Sequence, residues 1–222
     1  MNICKKVSDD WNWDTYTEDS YEKELNVFLV KGDGNGDGKD MIIKNSHVVD
    51  GELFFKDNLH PNWKEIYYQT HNLKINSVFE CGCGCAHHLM NIYRINPQID
   101  INGCDYSQSQ IDLGKKYFQL GDYRFCNKIY VKDLSVPQNF GENEKYEFVY
   151  SHAVSMHLEH NKARNMLINM GKLSSKYIFM IENWTDSHNY DALIAETLPD
   201  FEIISRPTDA HRYQKHYLLR RQ

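Results

Sequence analysis

The chain has 222 residues, a formal net charge of -6 and a pI of about 6.0. That length suits one generous α/β domain, or a core domain with an added cap. The acidic balance speaks against a broad nucleic-acid surface, and no apolar run is long enough to span a bilayer.

The opening residues, Met1-Asn2-Ile3-Cys4-Lys5-Lys6, lack the apolar core of a signal peptide, so a cytoplasmic location is the default expectation. No membrane or nucleic-acid partner is expected, and nothing in the sequence speaks to oligomeric state. Residues 1–20 are polar with scattered aromatics, Trp11, Trp13 and Tyr16, and read as irregular. From Glu18 to Val30, Tyr21, Leu25, Phe28 and Leu29 recur at helical spacing. In the glycine loop that follows, Asp33, Asn35, Asp37 and Gly38 copy the first half of a calcium loop. Its twelfth position is Lys44, where a bidentate Glu is required, so it reads as a charged turn instead. His47–Phe55 holds two β-rich runs around Asp50-Gly51, a hairpin signal.

Pro61 opens a helix with Trp63, Ile66, Tyr67 and Thr70 on one face. Ile75–Phe79 reads as a strand and runs into Glu80-Cys81-Gly82-Cys83-Gly84-Cys85-Ala86, a tight turn before a helix carrying Leu89, Ile92 and Tyr93. Such a turn presents backbone N–H groups at a helix N-terminus, and glycine lets a ligand come close to the backbone. A second strand over residues 99–104 ends at Asp105. Ser107 and Gln110 then form a capping box before Ile111, Leu113 and Tyr117.

Tyr123–Val131 reads as a third strand, followed by Lys132-Asp133-Leu134. Tyr146–Tyr150 is the fourth and ends at Ser151-His152. A helix over Asn161–Met170 takes Gly171 as its stop. Tyr177–Ile181 is a buried fifth strand ending at Glu182-Asn183. Tyr190–Thr197 is a last helix, and Phe201–Ser205 and His216–Leu219 are closing strands. Alternation of this kind builds an open, mostly parallel α/β sheet with helices on both faces. The last two strands, with no helix between them, predict an antiparallel edge hairpin.

Two cofactor classes use a glycine turn between strand and helix. The dinucleotide fingerprint G-x-G-x-x-G is broken here, because its third glycine position is His87. Glu80-Cys81-Gly82-Cys83-Gly84 instead matches E-x-G-x-G, with Ala86 as a third small residue and Asp105 one strand later. In these motifs residues 60–222 resemble the class I S-adenosylmethionine-dependent methyltransferases. The resemblance implies a Rossmann-like, seven-stranded sheet and S-adenosylmethionine as cofactor. It also implies that residues 1–60, a helix and a hairpin, cap the domain of residues 61–222, with Tyr16 and Trp63 on the lid and substrate side.

Ligands of open α/β sheets bind beyond the carboxyl ends of the strands, which collects Glu80, Asp105, Asp133, Ser151, His152 and Glu182. A ribose diol wants a bidentate acceptor, the place of Asp105, with Tyr106 on the adenine face. The cofactor's ammonium suits Glu80 and the backbone around Gly82 and Gly84. By resemblance, Asp133 accepts from the adenine amino group, Leu134 adds a backbone donor, and Ser151 completes the cofactor set.

Methyl transfer needs an aligned, desolvated nucleophile and, for a hydroxyl, a base. His152 and His157 are the candidates, since histidine titrates near neutrality. His157 matches the histidine-before-leucine of the family's motif after the fourth strand, where it is also often structural. No metal site is expected. Cys81-x-Cys83-x-Cys85 is not a usual zinc spacing, and the fourth strand ends in Ser151 rather than an acid. The six cysteines read as reduced thiols. The reaction expected is O-methylation of a small polar acceptor such as a sugar or nucleotide sugar. N-methylation of a small amine or protein, a NAD-dependent oxidoreductase and a non-catalytic cofactor-binding module stay open as alternatives. An Asn-Pro-Pro-Tyr-type motif is absent where Ser151-His152-Ala153-Val154 stands, which argues against adenine or glutamine acceptors.

Overall fold

The structure is a computed structural model, and it describes residues 12–23, 25, 40–118, 128–182, 187–206 and 215–222. Most of the calcium-like loop, the first half of the expected third strand, Cys4, Cys126 and Asn183 lie outside the described residues.

Residues 13–17 are helical where irregular chain was expected, and the helix expected from Glu18 is present over its described residues. Helix α1, Trp13–Tyr16, starts at Asn12, whose side chain accepts from the Asp14 and Thr15 amides at 3.0 and 3.2 Å. It continues as a wider π turn over Thr17–Tyr21. The next element is the expected hairpin, β1 Ser46–Val49 against β2 Glu52–Phe55. Asp50 and Gly51 both take positive φ, 52° and 85°, as a two-residue turn matched to strand twist requires. Asp57 accepts from the Lys44 and Asn45 amides, and Asp40 and Asn58 close the base of the hairpin reciprocally.

The rest alternates. Helix α2 spans Pro61–Asn72, β3 Ser77–Cys81, α3 His87–Ile95, β4 Asp100–Asp105, α4 Gln108–Phe118 and β5 Ile129–Val131. Then come β6 Tyr146–His152, α5 His160–Leu173, β7 Ser174–Glu182, α6 Tyr190–Thr197, β8 Phe201–Ser205 and β9 Lys215–Arg221. The seven-stranded sheet has the order β5-β4-β3-β6-β7-β9-β8. β6 runs parallel to β3 and β7, and β4 parallel to β5. β9 is antiparallel to both β7 and β8. Ile178, Phe179, Met180 and Ile181 are all buried, and their unbroken apolar run marks a strand covered on both faces.

Two expectations need correction. Gly171 does not stop its helix; α5 runs through it to Leu173 and passes directly into β7. A Cβ at Gly171 would lie 2.7 Å from Leu198 Cδ2, so this glycine admits the residue that ends α6. The capping box of α4 is only half formed. Ser107 Oγ accepts from the Gln110 amide at 3.2 Å, but the Gln110 side chain donates to Thr17 Oγ1 at 2.8 Å instead.

Packing divides the chain into two compact units. One holds Val78–Gly82 and Lys132–Gln222, the other Asn12–Ser77 and Cys83–Val131. Phe148, Val149, Tyr150, Ile178 and Leu219 centre the first core; Ile66, Tyr67, Leu89, Ile101 and Cys104 centre the second. Among the described residues no helix is long and apolar enough to cross a membrane.

Candidate active site

The glycine turn follows β3, which carries Glu80 as a buried acid. Gly82 and Gly84 take φ of 72° and 52°, a region that costs other residues about 1–2 kcal/mol. At Gly82 space is also closed: a Cβ would sit 2.6 Å from Val154 Cγ2 and 2.8 Å from Val154 Cγ1. The turn's amides are more occupied than the motif suggests. Cys83 N donates to Cys104 O at 2.9 Å, Gly84 N to Asp105 Oδ2 at 2.8 Å, and Ala86 N to Cys83 O at 2.8 Å. Ala86 itself is left-handed, with φ 61°, at the start of α3. Cys81, Cys83, Cys85 and Cys104 are buried thiols. Among the described residues, no three His, Cys, Asp or Glu side chains gather as a metal site.

Asp105 ends β4 half-buried. Its Oδ1 accepts from Ser107 N at 2.9 Å while Oδ2 holds Gly84. Burial pushes its carboxyl above the ordinary range, and the amides of Ser107, Gly84 and Tyr106 pull the other way. A carboxylate has about four acceptor positions, so these bonds leave capacity for a ligand hydroxyl.

Asp14, which no motif in the sequence marks, builds the next layer. Asp14 Oδ1 accepts from Ser107 Oγ at 2.6 Å and from Ser109 N at 3.1 Å, which lowers its pKa. It thereby supplies an anion to the N-terminus of α4, where the helix dipole favours one. Further along, Gln110 bonds Thr17, Ser109 Oγ donates to Glu18, and Lys116 and Tyr117 donate to Glu22. Tyr106, 47% exposed, accepts from Trp13 N at 3.3 Å through its hydroxyl. Tyr16 packs within the segment, between the rings of Trp13 and Tyr21.

Trp63 stands on α2 amid three histidine rings, His87, His88 and His60, at centroid distances of 5.3, 5.5 and 5.8 Å. Behind it, Tyr67 Oη lies 2.9 Å from His88 Nδ1 and accepts from Asn91 Nδ2 at 2.8 Å. Asn91 also ties Met41 O and Ile43 N to α3.

The residues beyond β6 and β7 form a separate network. Glu182, fully buried, accepts from Ser151 Oγ at 3.3 Å, Ser155 N at 3.3 Å and Met156 N at 3.2 Å. Ser151 is thus a buried partner of Glu182. Burial pushes the Glu182 carboxyl up to about 7, against the pull of these hydrogen bonds. Ser155 Oγ lies 3.0 Å from Tyr190 Oη, and His188 Nε2 donates to Ser155 O and Leu158 O at 3.0 and 3.1 Å. Between them the chain makes a left-handed step at Ala153, φ 55°, whose N–H donates to Ile181 O. His152 and His157 are both half-buried, and burial holds the His157 imidazole below its ordinary pKa. Asp133 is exposed, and its Oδ1 accepts from Ser135 N at 2.8 Å, a local turn bond; Leu134 is buried, with its carbonyl bonded by Asn169.

No protein-family model matches the chain, and no curated protein matches its sequence. Solved structures do resemble it. Magnesium protoporphyrin IX methyltransferase from Synechocystis PCC 6803, with bound S-adenosylmethionine, superposes with a TM-score of 0.57 at 16% identity. The match covers 72% of this chain and 78% of that one. The methyltransferase domain of bacterial CtHen1 gives 0.57 at 12% identity, over 72% of this chain and 96% of that one. Residues 961–1257 of StiE, an O-methyltransferase domain, give 0.56 at 11%, over 72% and 73%. The chain therefore has the class I methyltransferase fold, a Rossmann-like sheet with an antiparallel pair at one edge.

Proposed function

We propose that this protein is an S-adenosylmethionine-dependent methyltransferase acting on a small polar acceptor. The observation that carries the reading is the bond from Gly84 N to Asp105 Oδ2. It joins the second left-handed glycine of E-x-G-x-G to the acid at the end of the following strand. The S-adenosylmethionine neighbour supports the choice of cofactor.

Bound S-adenosylmethionine would supply a methyl group on a sulfonium, already a good leaving group. This chain's own residues would bind and align. Asp105 would take the ribose hydroxyls, Tyr106 the adenine face, and Glu80 with the glycine-turn backbone the amino-acid tail. Asp133 is the weakest of the set, since it already closes its own turn. A base must be neutral before it accepts a proton, and burial keeps His157 neutral over a wider pH range. His157 and His152 are thus the candidates for a hydroxyl acceptor such as a sugar.

The test is calorimetric titration with S-adenosylmethionine, S-adenosylhomocysteine and NAD in parallel. Micromolar binding of both adenosyl ligands and none of NAD is expected; binding of NAD alone would overturn the reading. An acceptor screen on nucleotide sugars and small amines then separates O- from N-transfer. His152→Ala and His157→Ala identify the base: the variant that loses turnover while keeping cofactor affinity marks it.

A further inference from the structure

The segment Ser151–Leu158 carries both candidate bases, and it is held by unlike groups on its amide and carbonyl sides. Its N–H groups at Ser155 and Met156 point to the Glu182 carboxylate, and so does the Ser151 hydroxyl. Its carbonyls at Ser155 and Leu158 take one proton donor, His188 Nε2. The Ser155 hydroxyl bonds Tyr190, which in turn lies 3.3 Å from Ser187 Oγ. A fully buried acid is costly to retain, and apolar residues of similar size would pack the same space without that cost. What a carboxylate supplies and an apolar side chain cannot is two acceptor oxygens in fixed directions.

We propose that Glu182 is a positioning residue: by accepting from Ser155 N, Met156 N and Ser151 Oγ it ties the end of β6, where His152 stands, to the single turn Ser155–His157 that carries His157. The role rests on the methyl-transfer reading for its purpose, but the clamp itself is testable without an acceptor. Glu182 touches no reacting atom; it acts through the loop. Both charge states matter near neutrality, because the carboxyl is pushed up to about 7. Ionisation turns the bonds to Ser155 and Met156 into charge-assisted ones, which are shorter and stronger. Tyr190, the first residue of α6, interacts with it directly, and His188 bonds the Ser155 and Leu158 carbonyls of the same segment. Lys215 and His216 stand opposite Glu182 and Ile181 in the β9 register. Tyr190 is pushed further up by its burial and by Glu182, so it stays protonated.

The experiment is a series of 1H–15N spectra of the intact protein from pH 5.5 to 8.5. The amide protons of Ser155 and Met156 should move downfield together through one midpoint near pH 7. Glu182→Gln keeps the side-chain volume but removes one acceptor oxygen and sets an NH2 group against a donor. In that variant the shared titration should vanish and exchange of the two amides should quicken about tenfold. If Glu182→Gln does not fold, Ser151→Ala decides: removing one donor to the ionised form should raise the midpoint. Amides that do not titrate in the wild type, or that titrate identically in Glu182→Gln, would overturn the proposal, as would an unmoved midpoint in Ser151→Ala. Calorimetry with S-adenosylmethionine on the same samples keeps the two readings apart. Loss of cofactor binding in the wild type sinks the methyltransferase assignment and leaves the clamp standing; Glu182→Gln should bind the cofactor within about threefold of wild type.

Discussion

Gly84 and Asp105 are joined by a hydrogen bond of 2.8 Å, from the glycine's N–H to the carboxylate's Oδ2. The acid expected to serve the ribose therefore also braces the turn. Asp105→Ala should show both roles at once. It strands the amides of Gly84 and Ser107, which should cost about 1–3 kcal/mol of stability, and it should weaken S-adenosylmethionine by a similar amount. Urea unfolding and calorimetry on one preparation check the pair. Unchanged affinity with lowered stability would make Asp105 a brace alone.

Gly82 faces two separate demands, and a double-mutant cycle separates them. Gly82→Ala brings a methyl into Val154 and puts alanine at φ 72°. Together these should cost about 2–4 kcal/mol. Val154→Ala in the same chain should recover the steric part and leave the left-handed cost, about 1–2 kcal/mol. Full recovery would show that the backbone at 82 carries no penalty.

Ala153 stands left-handed, φ 55°, next to His152. Ala153→Gly should raise stability by about 0.5–1 kcal/mol, since glycine takes this conformation without the Cβ clash. Ala153→Val should do the opposite by more, because a branched side chain is disfavoured there. Thermal unfolding of the two variants gives the sign directly.

Two buried groups give opposing pH slopes. Glu182 moves from 4.5 up to about 7, so the folded protein keeps a proton that the unfolded chain has released. Its contribution to stability is fully present below pH 4.5 and is lost as pH rises to about 7. His157 is lowered from 6.5, so its contribution is present above pH 6.5 and is lost as pH falls below it. In Glu182→Gln the first slope should disappear. The stability advantage of wild type over this variant should shrink between pH 4.5 and 7.5 by on the order of 3 kcal/mol. Urea unfolding at five pH values measures it, and parallel curves for the two proteins would refute the assignment.

Local chemistry made much of this legible in sequence. Asp50-Gly51 dictates its own turn, Pro61 its own helix start, and the apolar run Ile178–Ile181 a strand covered on both sides. The E-x-G-x-G turn and Asp105 are visible because close backbone approach leaves only glycine and a strand-end acid as solutions. What stayed hidden depends on partners distant in sequence. Gly171 looks like a helix stop until Leu198 is seen filling its missing side chain. Residues 13–17 look irregular until Asp14 and Thr17 find the first turn of α4, some ninety residues on. Ser151 and Glu182 lie on one rim by topology, but only the fold shows that they bond each other.

The place of β9 between β7 and β8 has a consequence for synthesis. β8 leaves the ribosome before β9, the strand it pairs with, exists, and β7 leaves with one side unfilled. Until residues 215–221 emerge, Ile178 to Ile181 and Phe201 to Ile203 lie along open strand edges, the kind of surface that recruits another nascent chain. This edge of the sheet is thus completed from the inside, and the segment that completes it arrives last of the three.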